Sequence, residues 1–157
     1  FAVRYLGLSI CEKFAVVIQD DTGMWLKHIL GHGPVIEFGA VAVLEQPQWL
    51  QPHAEQLALL ISHQDQVTEA PANATLLASS AFCPIAAYYI GDQVLCFQGH
   101  PEFVPDYARS ILTIRQEVYG EQVYQQGINS LELQHQGNMV AEWMMRFVAQ
   151  GRAVPLA

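Results

Sequence analysis

The sequence predicts an α/β protein, a three-layer sandwich in which helices cover both faces of a sheet. Short apolar runs of strand character fill the earlier part of the chain, and amphipathic helical patterns fill the last third. Only 14% of the residues are charged, whereas 52% are hydrophobic. A low charged fraction is typical of a sheet covered on both faces. Strands interleaved with helices favour a layered α/β architecture.

Five runs are predicted to be the strands of this sheet. They are Ile36–Leu44, Leu57–Ile61, Thr75–Ala78, Pro84–Ile90 and Gln93–Gln98. Leu57–Ile61 is apolar throughout, which is typical of a strand buried on both faces of a parallel sheet. The last two runs are joined by Gly91-Asp92, and such a short connection predicts a hairpin. We therefore expect a mostly parallel sheet with one antiparallel hairpin.

The two ends of the chain carry further elements. Val3–Leu8 is predicted to be a short strand, and Glu12–Gln19 a helix, because the apolar residues of the second run fall on one stripe. Pro105 suits the first position of a helix. Met139–Val148 repeats apolar residues at helical spacing before Gly151, which predicts an amphipathic helix that packs its apolar stripe in the core.

Composition and charge exclude several classes of function. The 157 residues suit one domain, and their net charge of −8 disfavours binding to a phosphate backbone. No apolar run approaches the length needed to span a bilayer. The three cysteines, Cys11, Cys83 and Cys96, lack the spacing of a zinc site or a disulfide framework, which indicates a reducing cytoplasm. Cys83 and Cys96 lie in apolar surroundings and are predicted to be core residues.

The segment Gly99-His100-Pro101-Glu102 carries the strongest chemical pattern. Pro101 pushes His100 towards extended backbone, where residues two apart point the same way, so His100 and Glu102 are expected to share one side. An imidazole beside a carboxylate is a general base of fixed tautomer, the arrangement that activates a nucleophile. The alternative from these residues alone is a turn at the end of a strand.

Several separated motifs stand in one order along the chain. They are Ser62–Val67, Leu77–Ser80, Cys83-Pro84, Ile90–Asp92 and Phe97–Phe103. This series resembles class I glutamine amidotransferases, above all the stand-alone type similar to the amidotransferase domain of GMP synthase. The resemblance covers Ile36 to Ala149 and implies a flavodoxin-like fold. It also implies that residues 1–157 are one domain matching the C-terminal part of the family's domain, without the family's N-terminal strands.

The resemblance implies a Cys-His-Glu triad that hydrolyses the side-chain amide of glutamine to supply ammonia, with neither a metal nor an organic cofactor. His100 would be the general base and Glu102 its orienting partner. The segment that matches Ser62, Gln64 and Asp65 lies against the bound glutamine in that family, so these residues are predicted to bind substrate.

The family places its nucleophile on a tight strand-to-helix elbow, Gly-x-Cys-x-Gly, and Cys11 is the counterpart in this chain. Its surroundings depart from that pattern, because no glycine flanks it at the elbow positions. Glu12 would also place a carboxylate beside the sulfur, which disfavours the thiolate. The alternative is a buried cysteine at a strand end. A counterpart of the glycine-rich loop that binds the oxyanion is also absent from these 157 residues.

These departures leave two other functions open. One is a γ-glutamyl hydrolase or peptidase of the same architecture, since one fold serves several amide hydrolyses. The other is a catalytically silent, truncated domain that acts as an oligomeric or binding module. The expected partners are glutamine, a synthetase that receives the ammonia, or further copies of this chain, and neither nucleic acid nor a membrane.

Overall fold

The computed structural model describes residues 15–17, 26–28, 35–63, 65–67 and 69–152. Its strands are β1 Ala15–Val17, β2 Leu26–His28, β3 Val35–Val43, β4 Gln56–His63, β5 Asp65–Val67, β6 Thr75–Ser79, β7 Ala87–Ile90 and β8 Val94–Phe97. Its helices are α1 Pro105–Ile114, α2 Gln116–Tyr119, α3 Glu121–Ser130 and α4 Gly137–Arg152. The predicted strand Val3–Leu8 lies outside the described residues.

Six of these strands form one sheet in the order β1-β8-β7-β6-β3-β4, and β2 pairs with β5 in a second, two-stranded sheet. The expectation of a mostly parallel sheet is wrong for the described strands. Only β1 and β8 run parallel there, and every other neighbouring pair is antiparallel. The continuous apolar run in β4 correctly predicts a strand buried on both faces. Such a run does not indicate whether the neighbouring strand is parallel or antiparallel.

The helix predicted over Glu12–Gln19 is also wrong where the structure describes it, because Ala15–Val17 forms β1. Each residue of β1 pairs in register with one residue of β8. Two of the three residues in this run are valines, and β-branched residues have a high propensity for strands. A partner strand therefore overrides the helical stripe that the sequence displays in this stretch.

Helices pack on both faces of the sheet, which confirms the layered α/β architecture. Leu59 and Leu60 are neighbours on β4 and point to opposite faces. Leu59 packs in a core with Trp143 and Phe147 of α4, and Leu60 packs in a second core with Leu112 of α1. All five side chains are at most 4% exposed. Their separation into two cores follows from the two-residue period of the strand.

The predicted hairpin is confirmed between β7 and β8, although its loop has three residues, Gly91 to Gln93. Gly91 has a φ of +53°, a conformation that favours glycine. Pro105 stands at the first position of α1, as expected. In α4 the indole of Trp143 donates a hydrogen bond to the carbonyl oxygen of Pro52 at 3.0 Å. None of the described helices is long and apolar enough to cross a bilayer.

Candidate active site

The backbone holds His100 just beyond the end of β8. Its amide donates a hydrogen bond of 2.7 Å to the carbonyl oxygen of Leu60, and the two residues form an antiparallel bridge. His100 is 8% exposed, so its side chain lies largely in the protein interior. The Cβ that would replace a hydrogen of Gly99 would lie 2.9 Å from the Cβ of Leu59, which explains the glycine beside the histidine.

The imidazole of His100 contacts the carboxylate of Glu102, as predicted. His100 Nδ1 and Glu102 Oε1 are 2.8 Å apart, and the two side chains are 10% and 32% exposed. The local backbone differs from the prediction, because the Phe103 amide donates to the His100 carbonyl at 3.2 Å and closes a turn. Pro101 occupies the second position of this turn, where its fixed φ is favoured. The turn, rather than extended backbone, brings the two side chains together.

This contact determines which nitrogen of the ring can accept a proton. A carboxylate only accepts hydrogen bonds, so Nδ1 carries the hydrogen and Nε2 presents its lone pair. Nε2 is buried and has no hydrogen-bond partner among the residues that the structure describes. Phe103 stacks on the ring, with centroids 4.1 Å apart and an interplanar angle of 11°. In the neutral form of the ring, this geometry fixes the orientation of the imidazole and leaves Nε2 able to accept a proton.

Two of the three residues predicted to bind substrate lie on described strands. Ser62 is on β4, two residues beyond Leu60, where it pairs with Ile36. Asp65 begins β5 and pairs with His28. Gln64 lies outside the described residues.

Leu60 and Val67, which flank the predicted substrate segment, are hydrogen-bonded to His100 and to Gln98. Leu60 accepts from the His100 amide, and the Val67 amide donates to Gln98 Oε1 at 2.9 Å. Because Gln98 and His100 are two residues apart, these hydrogen bonds attach both flanks of the predicted segment, Leu60 and Val67, to the stretch of chain that carries His100. The binding roles of Ser62, Gln64 and Asp65 stay predictions.

Gln98 is a residue that sequence reasoning missed. Its side chain is 4% exposed and accepts from Val67, while its Nε2 donates to the Ile85 carbonyl at 2.6 Å and to the Cys83 sulfur at 3.2 Å. The Gln98 side chain, two residues before His100, is therefore hydrogen-bonded to Val67, Cys83 and Ile85. A polar residue that directly follows an apolar strand was the only available signal, because the partners are distant in sequence.

Cys11, the predicted nucleophile, lies outside the described residues, and its role stays a prediction. Cys83 and Cys96 are both fully buried, as predicted for core residues. Burial raises the pKa of the Cys83 thiol to about 12, because the thiolate loses its hydration, although a hydrogen bond from the Ile85 backbone opposes this. A thiol that stays protonated is a poor nucleophile, so Cys83 does not fit a catalytic role.

The described part of the chain holds no group of three or more histidine, cysteine, aspartate or glutamate residues that could bind a metal ion.

No protein-family model matches the sequence. Curated proteins of similar sequence include γ-glutamyl peptidase 3 of Arabidopsis thaliana, 53% identical over 47 residues, which are 30% of this chain and 19% of the relative. γ-Glutamyl peptidase 4 of the same plant is 38% identical over 63% of this chain and 41% of its own length. A glutamine amidotransferase-like protein of Schizosaccharomyces pombe is 28% identical over 56% of this chain and 36% of the relative. The chain thus spans less than half of each of these relatives.

Solved structures support the fold. A glutamine amidotransferase from Thermotoga maritima superposes with a TM-score of 0.53 at 13% identity, covering 75% of this chain and 52% of that one. A second, from Methylobacillus flagellatus, gives a TM-score of 0.54 at 18% identity, covering 80% and 55%. Together with the sequence relatives, these matches confirm the resemblance to the C-terminal portion of class I glutamine amidotransferases. The particular proteins it resembles in sequence are γ-glutamyl peptidases and a glutamine amidotransferase-like protein.

Proposed function

We propose that this chain carries the general base of a hydrolase that cleaves the γ-carbonyl amide of glutamine. His100 is the base and Glu102 orients it. The observation that supports this proposal is the 2.8 Å contact between His100 Nδ1 and Glu102 Oε1, which leaves a buried Nε2 ready to accept a proton. Glu102 also stabilises the imidazolium that forms when the base takes that proton.

In the proposed mechanism, Cys11 is the nucleophile, on the strength of the sequence resemblance. The Cys11 thiol loses its proton to His100 Nε2, and its sulfur attacks the γ-carbonyl carbon of the substrate. As the C–N bond breaks, His100 returns the proton to the leaving nitrogen and ammonia departs. Water then attacks the γ-glutamyl thioester, so that glutamate is released and the thiol is restored. Ser62, Gln64 and Asp65 are proposed to hold the α-amino and α-carboxylate groups of the substrate.

A second candidate substrate is a γ-glutamyl peptide, in which the leaving group is an amino acid or peptide amine instead of ammonia. The names of three sequence relatives, all γ-glutamyl peptidases of Arabidopsis thaliana, favour it. The bond cleaved and the roles of His100 and Glu102 are the same for both substrates. They differ only in what must be accommodated beyond the scissile nitrogen.

The wider setting belongs to the same proposal. We infer one domain over residues 1–157, a location in the cytoplasm, and either a synthetase that takes up the ammonia or assembly with further copies of this chain. The three sparsely spaced cysteines support the reducing compartment. A particular likeness to the GMP synthase type stays a prediction.

The test measures release of ammonia from glutamine, and of free amine from γ-glutamyl dipeptides, by the purified chain and two variants. Cys11→Ala is expected to abolish turnover. Glu102→Gln is expected to lower kcat about 10–100-fold with little change in KM, because a hydrogen bond to a charged group contributes about 1.5–3 kcal/mol. Glu117→Gln, at an exposed position of α2, is the matched control and should behave as wild type.

Each outcome has one meaning. Turnover that survives in Cys11→Ala would remove Cys11 from the mechanism. Equal turnover in Glu102→Gln and wild type would remove the orienting role of the carboxylate. No turnover of either substrate by the wild-type chain would refute the enzymatic proposal and leave the silent module.

A further inference from the structure

The outer edge of β4 is covered by a segment of chain far away in sequence. On this edge the Ala58 amide donates to Gln136 Oε1 at 2.7 Å, and the Gln136 amide donates to the Ala58 carbonyl at 3.0 Å. Gln136 therefore pairs with the edge strand through both its backbone and its side chain. The next outward-facing carbonyl on the same edge, that of Leu60, accepts from His100. The residue before α4 and the candidate base are thus held side by side on one strand.

The first residue of α4 lies directly against the turn that carries the candidate base. A Cβ atom built on Gly137 would overlap the carbonyl oxygen of Pro101, which is backbone and cannot rotate away. Glycine is therefore required at this position by close packing between two stretches of main chain. The His100–Phe103 turn is confined between β4 and the start of α4.

His135 adds a third contact. Its Nδ1 accepts a hydrogen bond of 3.2 Å from the Gly137 amide, so its Nε2 carries the hydrogen. That Nε2 lies 3.5 Å from the carbonyl oxygen of His100, at the outer limit of a hydrogen bond. The His100 carbonyl thus faces two donors, which are the Phe103 amide and His135 Nε2. The His100 amide donates to Leu60 of β4. The backbone of the candidate base is held on both of its polar groups.

We propose that the segment His135–Gly137 positions the imidazole of His100 by fixing the His100–Phe103 turn against β4. The contacts that the structure describes for this segment go to Ala58 and to the carbonyls of His100 and Pro101 and not to His100 Nε2, so its residues are positioning residues. The inference rests on the proposed function for its catalytic meaning, but the positioning itself is a property of the fold. Releasing the segment lets the turn move, which exposes Nε2 and weakens the contact with Glu102.

The experiment uses the full chain and variants of two residues in this segment. Gly137→Ala introduces the overlap with Pro101. Gln136→Leu removes the side-chain oxygen that accepts from the Ala58 amide. Gln136→Glu keeps an acceptor oxygen at that position, now part of a carboxylate, and is the conservative rescue. Gly91→Ala is the control for a glycine replaced away from the site: it lies in the hairpin at the opposite end of β8, where a φ of +53° disfavours alanine but nothing lies within 4 Å of the added Cβ.

The principal readout is the rate at which diethylpyrocarbonate modifies His100, measured by peptide mass spectrometry at a temperature where circular dichroism shows each variant folded. Gly137→Ala and Gln136→Leu are expected to raise this rate about tenfold, which corresponds to about 1.4 kcal/mol. Gln136→Glu and Gly91→Ala should stay near the wild-type rate. If Gly137→Ala does not fold, the Gln136 pair carries the test alone.

A second readout is turnover of glutamine and γ-glutamyl dipeptide. Gly137→Ala and Gln136→Leu are expected to lower kcat about tenfold at similar KM, with recovery in Gln136→Glu. Equal modification of His100 in all four variants and wild type would overturn the positioning role, whatever the activity. A wild-type chain without turnover, but with the expected pattern of modification, would refute the proposed function alone.

Discussion

Replacing Gln98 by methionine tests the hydrogen bonds that join the segments around the site. Methionine has a similar length and fills the same space, so the packing of the buried position changes little. It can neither accept from the Val67 amide nor donate to the Ile85 carbonyl. The variant therefore isolates the polar role of the side chain from its volume.

The expected loss in the free energy of unfolding depends on how deeply the Val67 amide and the Ile85 carbonyl are buried. The Val67 amide is in a buried bond, and an unsatisfied buried donor costs about 1–3 kcal/mol. The Ile85 carbonyl is only partly buried and regains some hydration, so its cost is at the low end, about 1 kcal/mol. Together these give about 2–4 kcal/mol, a large part of the roughly 5–15 kcal/mol that separates folded from unfolded domains.

The assay is urea unfolding followed by tryptophan fluorescence and circular dichroism, with Gln150→Met at an exposed position of α4 as the control. The midpoint should fall for Gln98→Met while the slope of the transition stays constant. Hydrogen exchange of the Val67 amide should accelerate in the same variant. A loss below about 0.5 kcal/mol, as is usual for surface substitutions, together with unchanged exchange at Val67, would refute the structural role given to Gln98.

Two further predictions concern the core between the sheet and α4, to which both Cys83 and Trp143 belong. Because the folded-state pKa of Cys83 is raised to about 12 from an ordinary value of 9.0, its contribution to stability is complete below pH 9 and is lost as the pH rises towards 12. The free energy of unfolding of wild type minus that of Cys83→Ala should therefore fall by about 1.4 kcal/mol per pH unit above pH 9. A difference that stays constant with pH in urea unfolding experiments would contradict this. Trp143→Ala should cost about 3–5 kcal/mol, against about 0.5 kcal/mol or less for the 61% exposed Met145→Ala; similar thermal midpoints would show that the α4 face is not a core.

The local elements were largely predictable because their signals lie within a few residues. Pro105 begins α1, and the stripe Met139–Val148 lies within α4 and packs Trp143 and Phe147 against the sheet. The contact between His100 and Glu102 was also within reach of the sequence, since one proline separates the two residues. Its cause was not, because the choice between an extended segment and a turn depends on where the Phe103 amide finds its acceptor.

Other features could not be predicted, since they depend on segments that meet only after folding. The helical stripe in Glu12–Gln19 did not reveal β8, whose pairing makes Ala15–Val17 a strand. Gln98 looked like an ordinary polar residue after a strand, because its partners at Val67 and Ile85 lie 31 and 13 positions away. Gln136 is still more remote, 78 positions from Ala58.

The sequence by itself determined the start of α1, the apolar stripe of α4, the burial of the leucines in Leu57–Ile61 and which imidazole stands beside a carboxylate. These properties arise from apolar periodicity and from neighbours along the chain. Only the tertiary structure decided the antiparallel direction of most described strands, the attachment of Leu60 and Val67 to the chain around His100 and the packing of Gly137 against Pro101. Strand direction and long-range hydrogen bonds depend on which backbones lie side by side, and burial patterns are compatible with several such arrangements.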